Sequence, residues 1–253
     1  MNIIVPVKMV PDLVEEISIE ASGAALDTAW MRLILNEFDD HAIEQAILLK
    51  ERLGGRVTVI APAAPDVEEA LFTAAARGAD RLIKLTGETE SLNSHALARA
   101  LAEIIRAESP DLVLTGVQAH NDLDGQIGPL LAEYLSLPYI GYVSGVQIAE
   151  KKATIRKEYP GGLLAEFAVE LPAVLGIQAS DEPPRYVAFT KVRQAMQAAI
   201  IEEQDIGVIN SSGSPGVSRM FQPEVSERAE ILEGQPEEIA ARLIGILQEH
   251  GVL

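Results

Sequence analysis

Short apolar runs alternate with amphipathic helical patterns all the way from Asn2 to Leu135, and this rhythm constrains the fold more than any other feature. Asn2 to Met9, Arg56 to Ala61, Arg81 to Leu85 and Asp111 to Thr115 are rich in Val, Ile and Leu, as buried strands are. Between Met9 and Arg56 the spacing of Ile43, Ala46, Ile47 and Leu49 is helical. Asp39 or Asp40 is a fitting N-cap for that helix, and Gly54-Gly55 ends it. Pro65 to Arg77, Ser94 to Ala107 and Gln126 to Leu135 are further helices, while Pro11 to Thr28 is irregular. Strands joined through helices lie parallel, with the helices covering both faces.

The expected core is therefore α/β: a doubly wound parallel sheet of the Rossmann-like, nucleotide-binding kind. After Pro138 the pattern turns β-rich, with strands at Tyr139 to Ile148, Ala153 to Glu158, Leu164 to Leu171 and Ala173 to Gln178. Lys151-Lys152 and Pro160-Gly161-Gly162 supply turns. Ser180 to Gln222, with Pro183-Pro184 and the turn-rich run Asn210 to Gly216, has little hydrophobic rhythm and suggests an extended arm. A last helix from Pro236 to His250 aligns Ile239, Leu243, Ile244 and Leu247, either toward the core or toward another subunit. The division expected is a nucleotide-binding domain with a β-rich extension at 1–180 and an arm with its helix at 181–253.

A formal net charge of −18 opposes nonspecific nucleic-acid binding and attraction to an anionic membrane surface. There is no cysteine, which excludes disulfides and thiolate chemistry. No apolar run approaches the roughly 20 residues of a membrane span, and no secretory signal is evident, so the expected location is cytoplasmic without membrane insertion.

The segment Leu112 to Pro129 carries the best candidate site. An apolar strand leads to a small-residue turn, a polar cluster and a helix N-terminus, which suits a phosphate. Neither G-x-G-x-x-G nor G-x-x-x-x-G-K-S/T is present. Gln118, His120, Asn121, Asp122 and Asp124 crowd this loop, and Lys8 and Asn36 to Asp39 fall at other strand exits of the same sheet. Lys8 is placed to reach a phosphate or simply to face solvent. Asp122 and Asp124 suit a magnesium ion, acid–base work, a ribose contact or a helix cap. The histidines lack metal-ligand spacing, His41 suits a helix surface, and no serine has a nucleophile-elbow context.

Six motifs in order resemble the beta subunit of electron transfer flavoprotein. They are Val5-Pro6-Val7-Lys8-Met9-Val10; Asn36-Glu37-Phe38-Asp39 with Ala42 to Ala46; Ala75 to Arg81; Gly116-Val117-Gln118-Ala119; Ile155-Arg156-Lys157 through Gly161-Gly162 to Leu171-Pro172-Ala173-Val174; and Glu182-Pro183-Pro184-Arg185-Tyr186. The resemblance implies a heterodimer with an alpha subunit carrying flavin adenine dinucleotide (FAD). It implies electron shuttling between a flavin dehydrogenase and a quinone- or ferredoxin-linked oxidoreductase, with bifurcation in some members. Redox chemistry would belong to the flavin and not to catalytic side chains. It places this chain's own nucleotide along Pro6, Lys8, Asn36, Phe38, Asp39, Pro62, Gly116, Gln118, Ala119, Asn121, Asp122, Asp124, Gly125, Gln126 and Ile127. The alternative is a stand-alone adenine-nucleotide-binding regulatory protein. An enzyme turning over nucleotides lacks both a phosphate loop and a base–nucleophile pair.

Two departures sharpen the expectation. Members holding a structural AMP read N-Q-T-G, whereas this chain has Gly125-Gln126-Ile127-Gly128, followed by Pro129 and Ala132-Glu133. That version is similar to members with a second flavin, so a second FAD is expected here and AMP is the alternative. Its small residues would leave room for a diphosphate at the helix N-terminus. The family's partner-docking loop has an apolar anchor and a lysine-rich run. Here Phe189 stands at the anchor position and only Lys191 and Arg193 remain of the run.

Overall fold

The computed structural model describes residues 1–14, 16–89, 92–209, 216–223 and 231–252. In chain order its strands are β1 (Asn2–Pro6), β2 (Met9–Pro11), β3 (Leu33–Leu35), β4 (Arg56–Pro62), β5 (Arg81–Thr86), β6 (Leu112–Gly116), β7 (Tyr139–Ala149), β8 (Lys152–Tyr159), β9 (Leu163–Glu170), β10 (Ala173–Ile177) and β11 (Ile201–Asp205). Its helices are α1 (Glu37–Leu53), α2 (Val67–Arg77), α3 (Ser94–Glu108), α4 (Ile127–Leu135), α5 (Phe189–Ala198) and α6 (Pro236–Glu249). Nine strands form one sheet in the order β11-β5-β4-β1-β6-β10-β7-β8-β9. Pairing is parallel from β11 to β7, and β8 and β9 add an antiparallel hairpin.

The central strands are apolar on both sides because helices cover both faces. On one face Ile3, Val5, Val57 and Val59 pack with Ile43 and Ile47 of α1 and Leu71 of α2. On the other, Ile4, Ile60 and Ile83 pack with Leu101 and Ile105 of α3 and Leu131 of α4. From β1 the chain lays β4 and β5 to one side, then returns to place β6 on the other. The order therefore reverses between β1 and β6, and the crevice beyond their carboxyl ends is where such sheets bind ligands.

The doubly wound α/β architecture is present as expected, with four local differences. The first strand ends at Pro6, and Met9–Pro11 turns away to pair antiparallel with Leu33–Leu35; three-residue strands leave too short a pattern to detect. Helix α1 begins at Glu37 with Asn36 as its N-cap, so neither Asp39 nor Asp40 caps it. Both acids are used elsewhere: Asp39 binds two strand-end amides and Asp40 pairs with Arg77. The strand-rich portion is continuous with the core, because β10 inserts between β6 and β7. Finally, the stretch expected as a plain arm contains α5 and the edge strand β11; residues 210–215 of its turn-rich run lie outside the described residues.

The arm concealed these elements because they bury almost nothing apolar. Val192 is the one buried side chain of α5. β11 is Ile-Glu-Glu-Gln-Asp, held to β5 by its ladder and by charge pairs. Arg81 grips Glu202 at 2.7 and 2.6 Å and Glu108 at 2.7 Å, while Lys84 meets Glu203 at 2.7 Å and Glu68 at 2.6 Å. At the other end, residues 180–185 are bolted to α1. Ser180 Oγ lies 2.9 Å from His41 Nδ1, Asp181 receives Arg52 at 2.8 Å, and Arg185 Nε donates to Glu44 at 2.7 Å with its Nη1 on Glu51 at 2.6 Å. The Arg185 guanidinium holds Glu51 below the usual carboxylate range.

Glu44 is almost fully buried, so Arg185→Met would leave its carboxylate without that guanidinium. We expect a loss of roughly 2–3 kcal/mol in denaturant unfolding, together with faster proteolysis between residues 186 and 200. Unchanged unfolding and cleavage would show that this bolt does not hold the segment.

Candidate functional site

Three chain segments meet at the switch point. Leaving β1, Pro6, Val7 and Lys8 form one wall; Thr115, Gly116, Gln118, Ala119, Asp122 and Ile127 form another; Asn36 and Asp39, at the start of α1, close the floor. Leu97 and Leu101 of α3 complete the lining. Asp39 organises the junction. Its Oδ2 accepts the Lys8 amide at 2.9 Å and its Oδ1 accepts the Gly116 amide at 2.9 Å. Gly116 is required for this approach, since a Cβ there would run into Asp39 Oδ1 and the Asp39 backbone. The Asn36 side chain donates to the Gln118 carbonyl at 3.0 Å.

Burial pushes the Asp39 carboxyl up, against the pull of the Lys8 amide, the Asn36 side chain, the Gly116 amide and the Lys8 charge, to about 7. The loop after β6 is ordered by its own acids. Asp122 pairs with the Lys8 ammonium and accepts the Ala119 amide at 2.8 Å. Asp124 accepts the Ser94 amide at 3.0 Å and the His95 amide at 3.4 Å, at the start of α3. Burial raises the Asp124 carboxyl, but those bonds with Ser94 and His95 outweigh it and hold the group low. The space enclosed by the crevice is about 20 Å³, room for a water molecule and not for a base.

Helix α4 opens onto this crevice with no acidic residue in its first turn and no side-chain cap from Gln126. The N–H groups of its first turn, those of Ile127, Gly128 and Leu130 (Pro129 has none), thus take no cap from Gln126, and the positive end of its dipole is not offset by an acidic neighbour in that turn. Beneath it, Thr115 Oγ1 is buried without a partner, as is Tyr139 Oη. Burial raises the Tyr139 hydroxyl to about 12. A Cβ on Gly128 would lie 2.8 Å from Thr115 Oγ1 and 2.8 Å from Tyr139 Cε2. Gly128 therefore serves close helix–strand packing; it does not clear space for a diphosphate as expected.

The family model described as electron transfer flavoprotein domain matches residues 28–206, which run from before β3 through β11. The chain belongs to the electron transfer flavoprotein family, as a beta subunit. It is 35% identical to the electron transfer flavoprotein subunit beta of Methylophilus methylotrophus over 98% of both chains. It is 35% identical to that of Syntrophomonas wolfei over 89% of this chain and 92% of the other, and 29% identical to that of Bacillus subtilis over 98% of both.

The residues the family resemblance singles out divide by position. Pro6, Lys8, Asn36, Asp39, Gly116, Gln118, Ala119, Asp122 and Ile127 line the crevice together. Gln126 and Gly125 stand at its rim before α4, Asn121 is exposed on the loop, and Pro62 ends β4. The Phe38 backbone abuts Gly116. Asp124 caps α3 and Asp122 neutralises Lys8, so neither carboxylate is arranged for a magnesium ion. His41 departs from its expected surface role by meeting Ser180. Phe189 is 70% exposed at the start of α5, with Lys191 and Arg193 exposed beyond it. Thr115 was missed; the signal was a lone hydroxyl closing an otherwise apolar strand.

Free aspartate titrates near 3.8, far below Asp39 in place. Between these values the folded chain binds the proton and the unfolded chain does not. This contribution to stability is full below about 4 and is lost as pH rises through 7. The unfolding free energy of the chain, measured against Asp39→Asn, should narrow between pH 5 and 8, by at most about 1.4 kcal/mol per pH unit. A flat or widening gap would mean that the carboxyl is ionised throughout.

Proposed function

We propose that this chain is half of a heterodimer with an electron transfer flavoprotein alpha subunit, carrying electrons from a flavin dehydrogenase to a quinone- or ferredoxin-linked acceptor. We further infer that its own crevice holds a second FAD, the alpha subunit holding the first. The observation that carries the site is the uncapped start of α4 above the unpartnered Thr115 hydroxyl, with Lys8 across the crevice. Backbone N–H groups, a hydroxyl and an ammonium form a donor set that fits a phosphate. The loop Gly125-Gln126-Ile127-Gly128 supports FAD over AMP, by its similarity to the flavin-holding version.

When bound, the flavin supplies the redox chemistry. The residues of this chain would hold and orient it: Lys8 and the α4 amides at the phosphates, Thr115 below them, and Pro6 and Pro62 on the adenosine side. Two features support partner binding. Helix α6 has a capping box at Gln235 and Glu238 but no buried residue, leaving Leu243 and Ile244 about half exposed. Helix α5 presents Phe189, Arg193 and Met196 along one exposed face. Among the described residues no helix is long and apolar enough to cross a membrane.

Co-expression with the alpha subunit should give two flavins per heterodimer by absorbance; one flavin plus AMP would overturn the second-flavin reading. Lys8→Met should weaken retention of the nucleotide in this chain by about tenfold or more, whereas Asp122→Asn, which frees the ammonium, should not weaken it. Phe189→Ala should slow transfer from the cognate dehydrogenase by about tenfold or more at unchanged nucleotide content. Unaltered transfer kinetics would reject the anchor role.

A further inference from the structure

Tyr142 lies in β7 with φ of 58°, in the left-handed region that bulky side chains avoid. The register of β7 slips there against both neighbours, between Val143 and Gly145 toward β8 and between Leu175 and Ile177 of β10. The kink turns the ring outward: Tyr142 is 45% exposed, while Gly141 and Val143 on either side are buried. A ring this open gains little from packing in its own chain, so packing there does not offset the strained backbone. Strain of this kind is kept where a residue must face a ligand.

The surroundings of the ring connect it to the crevice. Gln126, the N-cap of α4, donates from Nε2 to the Tyr142 hydroxyl at 3.4 Å, and the same nitrogen lies 3.3 Å from Oε1 of Gln118 in the crevice wall. The Lys157 ammonium lies over the Tyr142 ring, 5.8 Å from its centre, and 5.6 and 5.9 Å from the ring centres of Tyr159 and Phe167, so one face of Tyr142 carries this cation. In the sheet order β1-β6-β10-β7, Tyr142 stands two strands beyond β6, roughly 10 Å past the phosphate position, on the side away from Pro6 and Pro62. A mononucleotide with its adenosine toward Pro6 ends before reaching it. The second half of a dinucleotide does not.

We propose that Tyr142 is a stacking platform for the non-adenine ring system of a dinucleotide, the isoalloxazine of the second flavin. This rests on the second-flavin reading above. The phenol face turned away from Lys157 offers π-stacking, and the Gln118–Gln126 pair offers an amide edge to the ring's polar rim.

The test uses the co-expressed heterodimer with Tyr142→Phe, Tyr142→Leu and Tyr142→Gly. Readouts are flavins per heterodimer, affinity for added FAD by flavin fluorescence, subunit association and melting temperature. Loss of stacking in the leucine and glycine variants should weaken the second flavin by about tenfold or more, and phenylalanine should stay within about threefold. Glycine should also hold or raise the melting temperature of the flavin-stripped heterodimer, since it adopts this φ freely. A wild type with two flavins and leucine and glycine variants that bind FAD equally well would overturn the platform and leave the second flavin standing. A wild type with one flavin and AMP would overturn both. Dissociation of the subunits in the leucine variant with unchanged FAD affinity would also overturn it, assigning the ring to the subunit interface.

Discussion

One carboxyl group joins the parts on which the crevice depends. Asp39 accepts the amide that follows β1 and the amide that ends β6, the two strands between which the sheet reverses direction. A parallel sheet leaves such ends open by geometry, because each strand must exit into its own crossover. Here the exits are tied together through the first turn of α1. The connection is buried, so it draws its strength from a low-dielectric setting and has a matching cost in desolvation. Its position explains why Gly116 has no side chain and why the loop after it follows the path it does.

The same helix serves a second purpose along its length. Two residues beyond Asp39, α1 begins the run His41, Gln45, Arg52 with Glu44 and Glu51 that fixes residues 180–185. Those residues lead directly into α5, whose outer face carries Phe189. The crevice and the exposed helix are thus attached to one element, α1. Both attachments are made by polar side chains, so their relative placement depends on hydrogen-bond geometry more than on apolar packing.

Legibility in the sequence followed burial. The strands β4, β5, β6 and β10 and helices α1 to α4 were visible because two-sided burial imposes apolar runs and helical spacing on them. The six ordered motifs made the family visible as well. β11 was hidden because an edge strand held by Arg81 and Lys84 carries acids where a central strand carries Val or Ile. α5 was hidden because it buries one residue. Within the crevice, Lys8, Gln118 and Asp122 were identified, but their present duties were not: the pairing of Lys8 with Asp122, across a separation of 114 positions, has no local signature. Gly128 was misjudged because a missing Cβ looks the same whether it faces a ligand or a neighbouring strand. Tyr142 is invisible to pattern, since nothing in Tyr-Ile-Gly-Tyr announces a left-handed backbone.

The acidic outer strand also determines how this molecule meets others. An open β-edge invites any extended chain to join it, and Glu202, Glu203 and Asp205 make β11 a poor template by repulsion. At this edge, contacts with other proteins are thereby diverted from backbone pairing, which is promiscuous, to side-chain surfaces, which discriminate. For a subunit of an electron transfer flavoprotein, a blunted edge on this side keeps brief encounters from becoming permanent ones.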